Sequence, residues 1–160
     1  MRKFLAVLAL AGALGCTPPP MPQAPAPVAL PTSLTPAQAV QRSAAVLTAS
    51  GFSIATSDAT AGVLTAVHDR DAEKMAPEIT CYYPANSVGA RGTRLHMTVS
   101  VAALPAAAGS TVNISARVQQ TEGPDPASIT RTIGASSHTD DACASTGEIE
   151  KRLAAALTTP

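Results

Sequence analysis

The chain has no tryptophan, two phenylalanines and two tyrosines in 160 residues. Base-stacking platforms and aromatic sugar sites need such rings, so neither is expected here. Basic and acidic residues balance at 11 and 11, which argues against the basic face that nucleic acid requires. No GxxxxGK[ST] loop, GxSxG elbow or SxxK pattern occurs, so no motif marks a phosphate loop or an activated serine. There are three cysteines, none at metal-type spacing. A core must therefore be built from Val, Ile, Leu, Met and Ala, and function must be sought outside the familiar catalytic signatures.

Proline is plentiful, and it is unevenly placed. Eight of the fourteen prolines fall between Pro18 and Pro36. Ahead of them, Arg2 and Lys3 precede eleven residues, 4–14, without a charge or strong polar group. That run is too short for a membrane-spanning helix, which takes about 20 residues, and it has the length and flanks of a secretory signal.

Ala13, Leu14 and Gly15 lead directly into Cys16, and this junction resembles the lipobox of bacterial lipoprotein precursors. Ala13 stands where leucine is commonest in that family. The resemblance covers about the first sixteen residues and implies cleavage before Cys16, with lipid attached to its sulfur. Each buried methylene contributes roughly 0.8 kcal/mol, so several acyl chains anchor where one is marginal. The alternative is a secreted protein whose cysteine falls near the cleavage site by chance. Thr17 is not the aspartate associated with inner-membrane retention, so the family rule implies the outer membrane, with the domain facing the periplasm.

The expected organisation is a signal peptide over 1–15, a lipidated cysteine with proline-rich linker over 16–34, and a single domain over 35–158. Proline fixes φ and lacks an N–H, which suits a semi-rigid tether; a ligand for a proline-recognising domain is the other use of such a segment. Removing Arg2 and Lys3 leaves nine basic against eleven acidic residues, a net of −2. With Cys16 lipidated, Cys81 and Cys143 form an even pair in an oxidising compartment and predict a disulfide, two buried thiols being the alternative.

Within the domain, Thr35, Pro36 and Gln38 form a helix start with a capping box, and Gly51 a stop. Ala37, Val40, Ala44 and Leu47 recur at helical spacing. Residues 52–56 and 63–68 read as a hairpin. Leu95, Met97, Val99 and Val101 alternate with His96, Thr98 and Ser100. Val112, Ile114, Ala116 and Val118 alternate with Asn113, Ser115, Arg117 and Gln119. These are two half-buried strands joined by a flexible loop over 105–109. Residues 78–83 and 129–133 are further candidate strands. Ser145 and Glu148 resemble a second capping box before a helix bearing Ile149, Leu153 and Leu157. The expected fold is α+β: an antiparallel sheet of four or five strands packed by an N-terminal and a C-terminal helix.

The stretch SGFSIATSDATAGVLTA, residues 50–66, resembles a pattern in small bacterial envelope lipoproteins. Among these are the helix-grip domains of lipoprotein subunits of the outer-membrane barrel assembly machine. The resemblance covers about thirty residues and carries no functional motif.

Three polar clusters invite a chemical reading. His68, Asp69, Arg70 and Asp71 could supply a base or metal ligand, but strand neighbours point to opposite faces, so a solvated charged loop is expected. His138, Thr139, Asp140 and Asp141 could ligate a cation, yet need a further ligand; acidic residues leading into the last helix account for them. GARGTR, residues 89–94, could touch phosphates or be a plain loop. No metal or cofactor is expected. The leading reading is a non-enzymatic, lipid-anchored domain that contacts an envelope protein through Thr98, Ser100, Ser115, Arg117 and Gln119. The alternative is a carrier of a small apolar ligand, lipid or peptide, held between helices and sheet by Val40, Leu47, Val99 and Ile114. An enzyme would need His68, His96 or His138 set against a carboxylate in a cleft.

Overall fold

The capping box at Thr35 forms as the sequence predicts. In a computed structural model that describes residues 23–71, 75, 77–81, 94–121 and 143–159, the Gln38 amide donates to Thr35 Oγ1 and the Thr35 amide to Gln38 Oε1. Helix α1 follows as Pro36–Ala49, with proline in its first turn. It ends in a Schellman motif: Gly51 N–H bonds the Thr48 carbonyl, Phe52 N–H bonds the Leu47 carbonyl, and Gly51 has φ +86°. The buried face is Ala39, Val40, Ser43 and Leu47, with Ala44 packed at its margin.

The strands are β1 Val28–Thr32, β2 Ser53–Asp58, β3 Val63–Asp71, β4 Ile79–Cys81, β5 Arg94–Ala106, β6 Gly109–Thr121 and β7 Cys143–Ser145; helix α2 is Glu148–Thr158. Five of them form one antiparallel sheet in the order β1-β6-β5-β3-β2, and β4 pairs with β7 in a second, two-stranded sheet. The architecture is α+β. Alternation sends Leu64 and Ala66, then Leu95, Met97, Val99 and Val101, then Val112, Ile114 and Val118 to one face, all buried. There they meet Val40 and Leu47 of α1 and Ile149, Leu153 and Leu157 of α2. Full burial of each large aliphatic side chain contributes about 1.5–3 kcal/mol, which is what a core without aromatic bulk must rely on.

Four features differ from the sequence expectations. The end of the proline-rich stretch is a strand, β1, paired with β6 from Val28↔Ile114 to Thr32↔Ser110. Pro31 is tolerated because β1 lies at the sheet edge, where a missing N–H costs no ladder bond. Thr32 Oγ1 then donates to the Leu157 carbonyl at 2.7 Å and ties this strand to the end of α2.

The expected 105–109 loop is shorter, since β5 and β6 stay paired to Ala106↔Gly109. Ala103 N–H points to the β3 side, bonding the Gly62 carbonyl at 2.7 Å. Two residues on, Pro105 has its absent N–H on that same side, beyond the end of β3, where nothing needs it.

His68 to Asp71 is not a loop but the end of β3, and His68 is buried on the helix face. Its Nδ1–H donates to the Gly51 carbonyl at 2.7 Å, and its ring lies 4.8 Å from that of Phe52. A satisfied polar nitrogen and an aromatic neighbour let the imidazole join the core.

The second capping box does not form. Gly147 caps α2 with φ +86° and no side-chain bond. Ser145 is the last residue of β7; its hydroxyl accepts from Gly147 N–H and donates to the buried Glu150 carboxylate at 3.0 Å. The pairing of β7 with β4 fixes the backbone of Ser145 as strand, which moves the helix start on by two residues.

Cys81 and Cys143 are directly opposed in β4 and β7 and are joined by a disulfide. It fastens the small sheet, which leads straight into α2. Residues 1–15, Cys16, residues 82–83, 89–93 and 129–133, and His138 to Asp141 lie outside the described residues. Among the described residues, no helix is long and apolar enough to cross a membrane.

Candidate functional site

Strands β5 and β6 position the candidate residues. Because side chains alternate, burying Met97, Val99, Ile114 and Val118 under the helices turns Thr98, Ser100, Ser115, Arg117 and Gln119 to the opposite, open face. The register brings them together: Thr98 lies opposite Arg117, Ser100 opposite Ser115, and His96 opposite Gln119. All five line one open cleft of about 870 Å³.

The other walls come from distant parts of the chain. Ala24, Pro25 and Pro27 form one, and Cys143 and Ala144 of β7 another. The disulfide therefore stiffens a wall of the cleft, and the segment just before β1 runs along it. Sequence reasoning reached the polar floor through alternation. It did not reach these walls, because nothing local in 24–27 or 143–144 says which strand they will lie beside.

The charge pattern of the cleft is simple. Among the described residues, Arg117 is its one charged lining residue, and no carboxylate is in the lining. The Asp69 carboxylate accepts a hydrogen bond from His96 Nδ1–H at 2.7 Å. This pair lies on the open face, with the two side chains 30% and 61% exposed, and neither residue lines the cleft. His68 is on the other face.

Shifted titration is found elsewhere on the surface. A hydrogen bond from Lys151, with its positive charge, holds the exposed Glu148 carboxyl below the ordinary carboxylate range. The same bond raises Lys151. Among the described residues, no three His, Cys, Asp or Glu side chains are grouped to hold a metal ion. Chemically, the described lining offers hydrogen-bond donors and one guanidinium.

Val40, Leu47, Val99 and Ile114 are 0–1% exposed and belong to the filled core. The chain matches no protein-family model and no curated protein.

Proposed function

We propose that the protein is a lipid-anchored lipoprotein of the cell envelope whose domain has a non-enzymatic binding role, holding an envelope protein against the open face of the sheet. The observation that carries this reading is the convergence of Thr98, Ser100, Ser115, Arg117 and Gln119 on one cleft, on the face that the helices leave uncovered. The lipobox resemblance supplies the anchor at Cys16 and the outer membrane as its place, with the domain toward the periplasm. Ala24, at the wall of the cleft, follows Cys16 by eight residues. Eight residues reach at most about 28 Å, so such an anchor would hold the cleft near the bilayer surface.

The carrier alternative draws less support, since the four side chains it would use are packed against one another in the core. Two measurements test the main reading. Cys16→Ser should release the chain from membranes to alkaline carbonate; continued membrane partitioning sinks the anchor. A photocrosslinker at Ser115 should give one discrete protein adduct in intact cells, and one at exposed Ala45 on α1 should not; indistinguishable adducts, or none at Ser115, sink the contact face.

A further inference from the structure

We propose that the cleft on the open sheet face is a phosphate-binding site, centred on Arg117 and completed by the hydroxyls of Thr98, Ser100 and Ser115. The inference rests on reading this face as the binding surface, and adds the chemistry of what enters it.

The first ground is the state of the donors. Among the described cations, Arg42 is committed to the carbonyls of Ala156 and Thr159, Lys151 to Glu148, and Arg152 to Ser50 and Glu78, whereas Arg70, at the exposed end of β3 and outside the cleft, is without such a bond. Arg117 has no ion pair or side-chain hydrogen bond among the described residues, and the same holds for Thr98, Ser100, Ser115 and Gln119. Five polar side chains without mutual bonds thus face one space.

The second ground is spacing. Thr98 is opposite Arg117, and Ser100 opposite Ser115 one same-face step along. Opposed Cβ atoms stand about 5 Å apart and diagonal neighbours about 7 Å, so all four side chains can reach a single tetrahedral group.

The third ground is stoichiometry. A guanidinium offers five N–H groups and each hydroxyl one O–H. A carboxylate presents two oxygens, too few for this set, whereas a phosphate group presents three or four and matches the arginine fork in geometry. Among the described residues, no acidic side chain lines the cleft to repel it, and the nearby Asp69 is held by His96. The wall of Ala24, Pro25 and Pro27 adds no competing side-chain donor.

A soluble phosphate ester and a phospholipid headgroup share this chemistry, and the experiment separates them. The full-length acylated protein in dodecyl maltoside is titrated with inorganic phosphate and with glycerol phosphate, and with acetate at equal ionic strength. Binding is read by calorimetry and by the Arg117 Nε–Hε signal in NMR. Phosphate should bind saturably; Arg117→Gln should weaken it about tenfold or more, Arg117→Lys less, and Ser100→Ala with Ser115→Ala measurably, at unchanged thermal midpoints.

The protein is then reconstituted in phosphatidylcholine vesicles with or without phosphatidylglycerol. A shift of the Arg117 signal on adding phosphatidylglycerol assigns the site to a headgroup; a shift only with glycerol phosphate assigns it to a soluble ester. The proposal is overturned if no phosphate species moves the signal, if acetate binds as tightly, or if Arg117→Gln binds unchanged. Should that happen while the Ser115 crosslink persists, the contact face stands and only the phosphate assignment is lost.

Discussion

His96 and Asp69 meet across strands β5 and β3, with imidazole Nδ1 2.7 Å from the carboxylate. They are 27 residues apart, and only the antiparallel register Asp69↔His96 joins them. The pair is well exposed, so water already solvates both groups, and such contacts contribute about 0–1 kcal/mol. Asp69→Asn should therefore lower the urea-unfolding free energy by less than about 1 kcal/mol. A loss of several kcal/mol would show that the pair anchors the end of β3.

That pair also shows where sequence reading stops. The alternation of Leu95, Met97, Val99 and Val101 reveals which side of β5 is buried, because burial follows from hydropathy alone. It follows that Thr98 and Ser100 face outward. The helix start at Thr35 is equally local, since the capping box needs only residues 35 to 38. Asp69 with His96 depends instead on which strands become neighbours and in what register, which no window of sequence contains. Pro31 and Ser145 mislead for a related reason. Each has a local preference, for spacer and for helix cap, that strand pairing with β6 or β4 overrides.

Gly62 occupies the turn between β2 and β3 with φ +72°, and a Cβ there would collide with the Ala103 carbonyl. The same glycine accepts the Ala103 N–H bond, so the two backbones cannot separate without losing it. Gly62→Ala should cost about 1–3 kcal/mol from the left-handed backbone and the clash together. Denaturant unfolding measures this, and an unchanged midpoint would show that the turn relaxes freely.

The disulfide closes a loop over a sequence separation of 62. In the chain-entropy treatment such a crosslink is worth about 4 kcal/mol, mainly by restricting the unfolded chain. Cys81→Ser with Cys143→Ser should show a loss of this order. Because Cys143 lines the cleft and β7 leads into α2, hydrogen exchange should rise first in Cys143–Ser145 and in the first turn of α2. Uniform acceleration across the sheet would contradict that local role.

Glu148 and Lys151 give the acid limb of stability a defined sign. Glu148 sits in the first turn of α2 with its pKa lowered, chiefly by the hydrogen bond from Lys151. A depressed carboxylate stabilises the fold above its unfolded pKa, and the contribution disappears as pH falls through the lower folded value. Lys151 is raised, so its share is present below its unfolded pKa and lost only as pH rises through the folded value. Both shares are intact at neutral pH. Glu148→Gln should make the thermal midpoint fall less steeply between about pH 5 and pH 3. Both side chains are exposed, so the change should be small and should fade in high salt. An equally steep fall would place the acid sensitivity on other carboxylates.

Ser43 is the polar exception on the buried face of α1. It is 0% exposed, and among the described residues its hydroxyl has no hydrogen-bond partner. A buried hydroxyl without a partner carries a desolvation cost of about 1–3 kcal/mol, and alanine removes the group while keeping the buried Cβ. Alanine is also the best helix former, better than serine by a few tenths of a kcal/mol. Both effects have the same sign. Ser43→Ala should raise the unfolding free energy by about 1 kcal/mol, the smaller end of that range, because a void left by the oxygen forfeits some packing. Chemical denaturation of the two proteins side by side measures the difference. If the variant is instead destabilised by a kcal/mol or more, the hydroxyl is bonded in solution, and a bound water between α1 and the sheet becomes part of the core.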